Sequence, residues 1–144
     1  MLVVLDTDVV VAALRSPSGA SRWLLRSVLH RRISAAISVP LLLEYEAVLN
    51  RPEQLLAANL TSGEIGVILD ALASVAKQVR LSFRWRPVLS DANDDMVLET
   101  AINGGASWIV SFNVRDFGSA GEPFGCRVML PREAVHKIRS AEKE

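Results

Sequence analysis

Cysteine and histidine are nearly absent from this chain. Cys126 is the only cysteine in 144 residues, which rules out an internal disulfide and any zinc site built from several thiolates. His30 and His136 are the only histidines, too few for a histidine-rich metal centre. Any metal would therefore be held by carboxylates, which suits Mg²⁺ or Mn²⁺. Net charge is also lacking, since 16 basic and 16 acidic residues cancel, so global electrostatics says little about partners. Lysine is scarce: Lys77, Lys137 and Lys143 are three of the 16 basic residues and the rest are arginine. Arginine's planar fork suits phosphate and carboxylate pairing, although a GC-rich codon preference accounts for the bias equally well. No apolar run approaches the ~18–20 residues of a membrane span, and no basic segment precedes the first, short apolar run. The expectation is a cytoplasmic protein without a membrane partner. Repeats, low-complexity tracts and long linkers are missing as well. Half of the residues are hydrophobic, enough for a real core, so the expectation is one domain over residues 1–144, with 131–144 as a C-terminal helix and tail.

The opening residues carry the most information. Leu2–Leu5 is apolar without alternation, as expected of a strand buried on both faces of a parallel sheet, and it runs into Asp6-Thr7-Asp8. Asp6 thus falls at the carboxyl end of a strand, where ligands and catalytic groups collect in open α/β sheets. A carboxylate there binds metal, acts on a phosphate, or caps the next helix.

Further elements follow in alternation. Val9–Leu14 reads as a short helix broken at Ser16-Pro17-Ser18-Gly19, and Ala20–His30 as a helix with an apolar stripe through Trp23, Leu24 and Val28. Ser34–Val39 reads as a strand and Leu41–Asn50 as a helix, with Pro40 in its first turn and Pro52 just beyond its end. Thr61-Ser62-Gly63-Glu64 has the form of a capping box, opening a helix to about Ala76. Val79–Phe83 reads as a short strand, Ser90 or Asp91 as a cap, and Asp94–Asn103 as a helix closed by Gly104-Gly105. Trp108–Ser111 and Arg127–Leu130 read as strands, and Pro131–Ser140 as a closing helix. The class expected is α/β, with a central, mainly parallel sheet flanked by helices in three layers.

Three further groups of acids stand out. Glu44 lies on or beside the apolar stripe of its helix, although periodicity does not separate it from Glu46, and a solvated flank accounts for either. In Asp91-Ala92-Asn93-Asp94-Asp95 the helix macrodipole accounts for one or two acids. Asp95, however, shares a face with Leu98 and Ile102, which should pack on the sheet. Asn113 and Asp116 follow the strand Trp108–Ser111, where a turn is the alternative reading. Asp6, Glu44, Asp95 and Asp116 come from four separated segments that an α/β sheet would bring to one edge. Converging carboxylates repel and raise one another's pKa, so a protein keeps such a cluster when a cation neutralises it. Hard oxygen ligands point to Mg²⁺ or Mn²⁺, ions that serve phosphoryl chemistry.

Leu5-Asp6-Thr7-Asp8-Val9, the run Leu43–Pro52, Asp91–Asp95 and Ile109–Phe117 together resemble the PIN-domain ribonucleases, in particular the toxins of toxin–antitoxin pairs. The resemblance runs in order from Leu2 to about Leu130. It implies a metal-dependent endoribonuclease whose acidic quartet is Asp6, Glu44, Asp95 and Asp116, holding Mg²⁺ or Mn²⁺, with Thr7, Asp8, Asp94 and Asn113 as neighbours. Asp8 departs from the family, which often has Asn or Ser there, and some members carry an acid at the Asn113 position. The implied partners are an RNA substrate, a cognate antitoxin and a second copy in a homodimer. Arg15, Arg22 and Arg115 are candidates for holding the RNA backbone.

Asp6-Thr7-Asp8-Val9-Val10 also fits the first motif of haloacid-dehalogenase-like phosphatases, with Asp6 as nucleophile and Ser38, Lys77 and Asp94 or Asp95 following in order. That reading leaves Glu44 and Asn113–Phe117 without a role. A PIN-like binding module without catalysis is the other alternative.

Overall fold

The computed structural model describes residues 1–82 and 92–143. Phe83 and the cap expected at Ser90 or Asp91 lie outside the described residues. Among the described residues five strands form one sheet in which every pairing is parallel, in the order β3-β2-β1-β4-β5. The chain's first strand, β1 (Leu2–Leu5), is therefore the central one, with β2 (Ser34–Ile37) on one side and β4 (Trp108–Val110) on the other. β5 (Arg127–Met129) forms one edge of the sheet and β3 (Lys77–Gln78) the other. Val3, Val4 and Leu5 are almost wholly buried, as the unalternated apolar run requires of a central parallel strand. Helices flank the sheet, and the expected α/β class is the one observed.

Helix α1 (Thr7–Arg15) starts directly after Asp6, and α2 (Ala20–Leu29) packs against it and against the last helix, α8 (Pro131–Glu142). α3 (Val39–Leu49) opens with Pro40 in its first turn and with Ser38 as N-cap. The strand expected through Val39 therefore ends at Ile37, because Ser38 is spent on capping. Pro52, read as a stop signal, is instead the first residue of a short helix, α4 (Pro52–Ala58), which Asn59 ends in a left-handed conformation at φ 56°. α5 (Ser62–Val75) has the expected reciprocal capping box between Thr61 and Glu64.

The strand expected at Val79–Phe83 lies two residues earlier, at Lys77–Gln78. Ala76 ends α5 in extended geometry, so the chain pairs with β2 at once, and the Val79 amide adds one more bond to the Ile37 carbonyl at 2.7 Å. α6 (Ala92–Gly104) packs on β1, β2 and β4. Its last residue, Gly104, approaches Val79 so closely that a Cβ would lie 2.8 Å from Val79 Cγ2, and Gly105 follows at φ +69°. The segment after β4, for which a turn is the alternative reading, is a single helical turn, α7 (Val114–Phe117), whose Phe117 is buried.

One continuous apolar cluster joins the strands to α1, α2, α3, α5, α6 and α8 through residues such as Leu24, Leu41, Leu72, Leu98 and Ile138. Each such side chain contributes about 1.5–3 kcal/mol by leaving water. Among the described residues no single helix is long and apolar enough to cross a membrane.

Candidate functional site

At the carboxyl ends of β1, β2 and β4 the first residue after each apolar run is polar: Asp6, Ser38 and Ser111. All three are buried, at 7 %, 1 % and 0 % exposure. A buried polar group requires a partner, and each has one. Asp6 Oδ1 accepts from the Thr7 amide at 2.7 Å and its Oδ2 from the Ser111 hydroxyl at 2.7 Å. Ser111 in turn accepts from the Asn113 amide at 2.9 Å. The Asp6 amide itself donates to the Val110 carbonyl at 2.9 Å, so sheet pairing continues up to the acid. Ser38 accepts from the Leu41 amide and sits 2.7 Å from Thr100 Oγ1. Thr100 spends its own proton on the Met96 carbonyl at 2.9 Å, so Ser38 is the donor of that pair, which ties α3 to α6.

Asp8 lies in the first turn of α1. Its Oδ2 accepts from the Phe112 amide at 3.1 Å and from Asn113 Nδ2 at 3.0 Å. Its Oδ1 is buried and has no hydrogen-bond partner. Burial first, then the charge of Asp6, raises the Asp8 carboxyl from 3.8 to about 7, with Asp94 adding a smaller push and the Phe112 and Val9 amides opposing it. Asp6, Asp8 and Asp94 therefore share one electrostatic neighbourhood. Asp94 and Asp95 are both buried, at 8 % and 2 % exposure.

Tyr45 holds the neighbouring helix in place. It is 1 % exposed, and its hydroxyl donates to the Leu5 carbonyl, the last of β1. Burial, and behind it the charge of Asp6, pushes its phenol well above the ordinary value. This contact fixes which face of α3 turns inward. Glu44, between buried Leu41 and Val48 on that stripe, is partly buried, and Glu46 is exposed. The ambiguity between the two glutamates is a matter of rotation about the helix axis, and Tyr45 sets that rotation.

The sequence-derived candidates are distributed unevenly. Asp6, Thr7, Asp8 and Asn113 form one hydrogen-bonded group, and Asp94 acts on it through its charge. Asp116 is exposed on α7, its amide bonded to the Asn113 carbonyl at 3.0 Å, so it is Asn113 whose side chain reaches the acids. Among the described residues no three acidic, histidine or cysteine side chains are gathered closely enough to hold a metal ion. The donor set nonetheless fits a hard cation: every group is an oxygen ligand, and Asp8 Oδ1 is a buried, unpartnered carboxylate oxygen. Of the arginines, Arg15 lines a hollow together with Asp8. Arg22 donates to the Ala13 carbonyl and lines a different hollow, of about 540 Å³, with Trp23, Arg26, His30 and Arg32. Arg115 is exposed on α7.

Several residues of this region were missed in the sequence reading. Ser111 and Tyr45 read only as strand and helix members, and Ser38 figures only in the phosphatase reading. The signal that marks the two serines is their place as the polar stop of an apolar strand. Glu99, fully buried four residues after Asp95, is marked by that helical spacing. Lys77, which the phosphatase reading requires as a catalytic cation, lies in the edge strand with its Nζ on the Gly104 carbonyl at 3.0 Å, where α6 ends.

Comparison with known proteins bears on these residues. The sequence pattern of the PIN domain matches residues 2–115. No curated protein matches the chain. Among solved structures, the chain is similar to one in the crystal structure of VapBC2 from Rickettsia felis bound to a DNA fragment from their promoter. The TM-score is 0.57 at 16 % identity, over 90 % of this chain and 97 % of that one. At that identity the likeness is one of fold.

Proposed function

The chain belongs to the PIN-domain family, and on that premise we propose that it is a Mg²⁺- or Mn²⁺-dependent endoribonuclease and the toxin of a toxin–antitoxin pair. The observation that carries the proposal is Asp8 Oδ1: a buried carboxylate oxygen without a partner, in the field of Asp6 and Asp94, at the carboxyl edge of a parallel sheet. Such an oxygen is stabilised by a cation or by taking up a proton.

In this reading Asp6 and Asp8 hold the ion directly, with Asp94, Asp95, Glu44 and Asp116 contributing through water. The ion, when bound, polarises the phosphate and eases loss of a proton from the attacking water. The chain's own residues do the positioning. Ser111 and the Thr7 amide fix both oxygens of Asp6, so that its remaining lone pairs keep one direction. Asn113, neutral where some relatives carry an acid, secures Asp8 without adding charge. Water adds to phosphorus, the bond to the leaving ribose oxygen breaks, and that oxygen takes up a proton.

A homodimer suits the exposed apolar side chains of Val39 and Leu43 on α3 and Val67 on α5, two helices that pack together. The structural neighbour, solved as an assembly on promoter DNA, is consistent with a chain that works with an antitoxin. A cytoplasmic site of action and one catalytic domain over residues 1–144 complete the proposal.

The test is Asp6→Asn. It should abolish Mn²⁺-dependent cleavage of RNA while circular dichroism shows the fold intact. Cleavage at the wild-type rate would falsify the assignment.

A further inference from the structure

Directly beside the acids runs a groove that the hydrolysis leaves unused. Phe112 follows Ser111 and is 49 % exposed. Its backbone amide is bound to Asp8, so the ring is anchored next to the acidic edge. On one side of the ring a hollow of about 350 Å³ is lined by Asp8, Val11 and Arg15. On the other a hollow of about 420 Å³ is lined by Ala20, Leu130 and Arg132. Phe112, Ala12 and Ser16 line both, so the two hollows adjoin at the ring. The shared lining residues Ala12 and Ser16 are small, and one arginine lines each hollow. Among the described residues neither Arg15 nor Arg132 forms an ion pair.

This pattern of an aromatic face between two uncommitted cations matches a strand of alternating bases and phosphates. An apolar peptide would find the ring but would leave the arginines unused. A duplex presents no free base face to the ring. We propose that the groove binds single-stranded RNA next to the bond that is cut, with Phe112 stacking on an unpaired base and Arg15 and Arg132 holding the flanking phosphates. The proposal rests on the nuclease reading above and names the residues that would hold the strand beside the cut.

The experiment is fluorescence anisotropy with a labelled single-stranded RNA of mixed sequence, using the full chain with Ca²⁺ in place of Mn²⁺. Phe112→Ala should raise Kd by about tenfold or more, the ordinary loss for one base–aromatic stack. Phe112→Tyr, which keeps the ring, should stay within about twofold of wild type. Arg132→Ala should weaken binding and make its salt dependence shallower by about 0.7 in log–log slope. Arg26→Ala, in the separate hollow, should change nothing. A fully paired RNA should be indifferent to Phe112→Ala. Phe112 is exposed, so its loss leaves the core intact. Equal affinity of wild type and Phe112→Ala for the single strand overturns the groove and leaves the nuclease reading standing. Equal affinity together with a changed oligomeric state assigns the groove to a second copy of the chain, and likewise overturns the proposal. A wild-type chain that neither binds nor cuts single-stranded RNA removes both readings.

Discussion

Asp8→Asn offers the sharpest test of the acidic edge. In the metal-free protein Asp8 is a carboxylate pressed against Asp6 and Asp94, with one oxygen buried and unpartnered. Asparagine has nearly the same shape. Its oxygen keeps the bonds from the Phe112 amide and Asn113 Nδ2, and its own amide replaces the orphaned oxygen with a donor facing carboxylates. The folded-state pKa of Asp8 is raised from 3.8 to about 7. The folded protein therefore binds the proton more tightly than the unfolded chain between about pH 4 and pH 7. Stability falls as pH rises through that window, and the penalty is complete above about pH 7. At about 1.4 kcal/mol per tenfold the upper bound is near 4 kcal/mol. Water reaches part of this side chain, which reduces the figure to about 1–2 kcal/mol. For a chain of this size that corresponds to a rise in Tm of roughly 3–8 °C. Thermal unfolding in EDTA should show Asp8→Asn more stable than wild type at pH 8, with about a third of that gain left at pH 5. Mn²⁺ should reverse the order at pH 8 by stabilising wild type alone. An Asp8→Asn chain no more stable at pH 8 without metal, or one whose gain is the same at both pH values, refutes the electrostatic account.

Two further outcomes follow from buried groups. Tyr45→Phe removes the donor to the Leu5 carbonyl at the end of β1 and should lower stability by about 1–3 kcal/mol in urea unfolding, because the carbonyl stays buried without a partner; an unchanged urea midpoint would show that the bond is dispensable. Cys126 is 2 % exposed, and burial, only partly offset by the Ile109 amide, pushes its thiol from 9.0 to about 11. Alkylation at pH 8 should therefore be slow in the native protein and fast in denaturant, and rapid native labelling would contradict this.

Those parts of the fold that a single local pattern determines were legible in the sequence. The unalternated run Leu2–Leu5 gave a buried central strand, Thr61–Glu64 a capping box, and Gly104-Gly105 the end of α6. What was not legible turns on contacts between distant residues or on signals with two meanings. Proline after a helix marks both a stop and a start, and Pro52 starts α4. Asn113-Val114-Arg115-Asp116 suits a turn and a single helical turn alike, and the difference sends Asn113 toward Asp8 and leaves Asp116 exposed. Strand β3 begins early because α5 ends at Ala76 in extended geometry, which no residue preference near Val79 announces. Of the candidate site, the place of Asp6 at the carboxyl end of β1 was legible, whereas its bond to Ser111, 105 positions away, was not. The groove was not, since Phe112 and Arg132 come together only when β4 and α8 are placed.

The central position of β1 has a consequence for how the molecule comes into being. Asp6 is made long before its partners, since its amide and its carboxylate are bonded to Val110 and Ser111, more than a hundred positions downstream. Contacts of such separation form late and slowly, because a long loop must close before they stabilise anything. While the chain is still being synthesised, the first acid has neither its strand partner nor its hydroxyl. The acidic edge thus takes shape only when β4 inserts beside β1, near the end of folding, so an incomplete or partly folded chain carries the ligands without the arrangement that would make them act together.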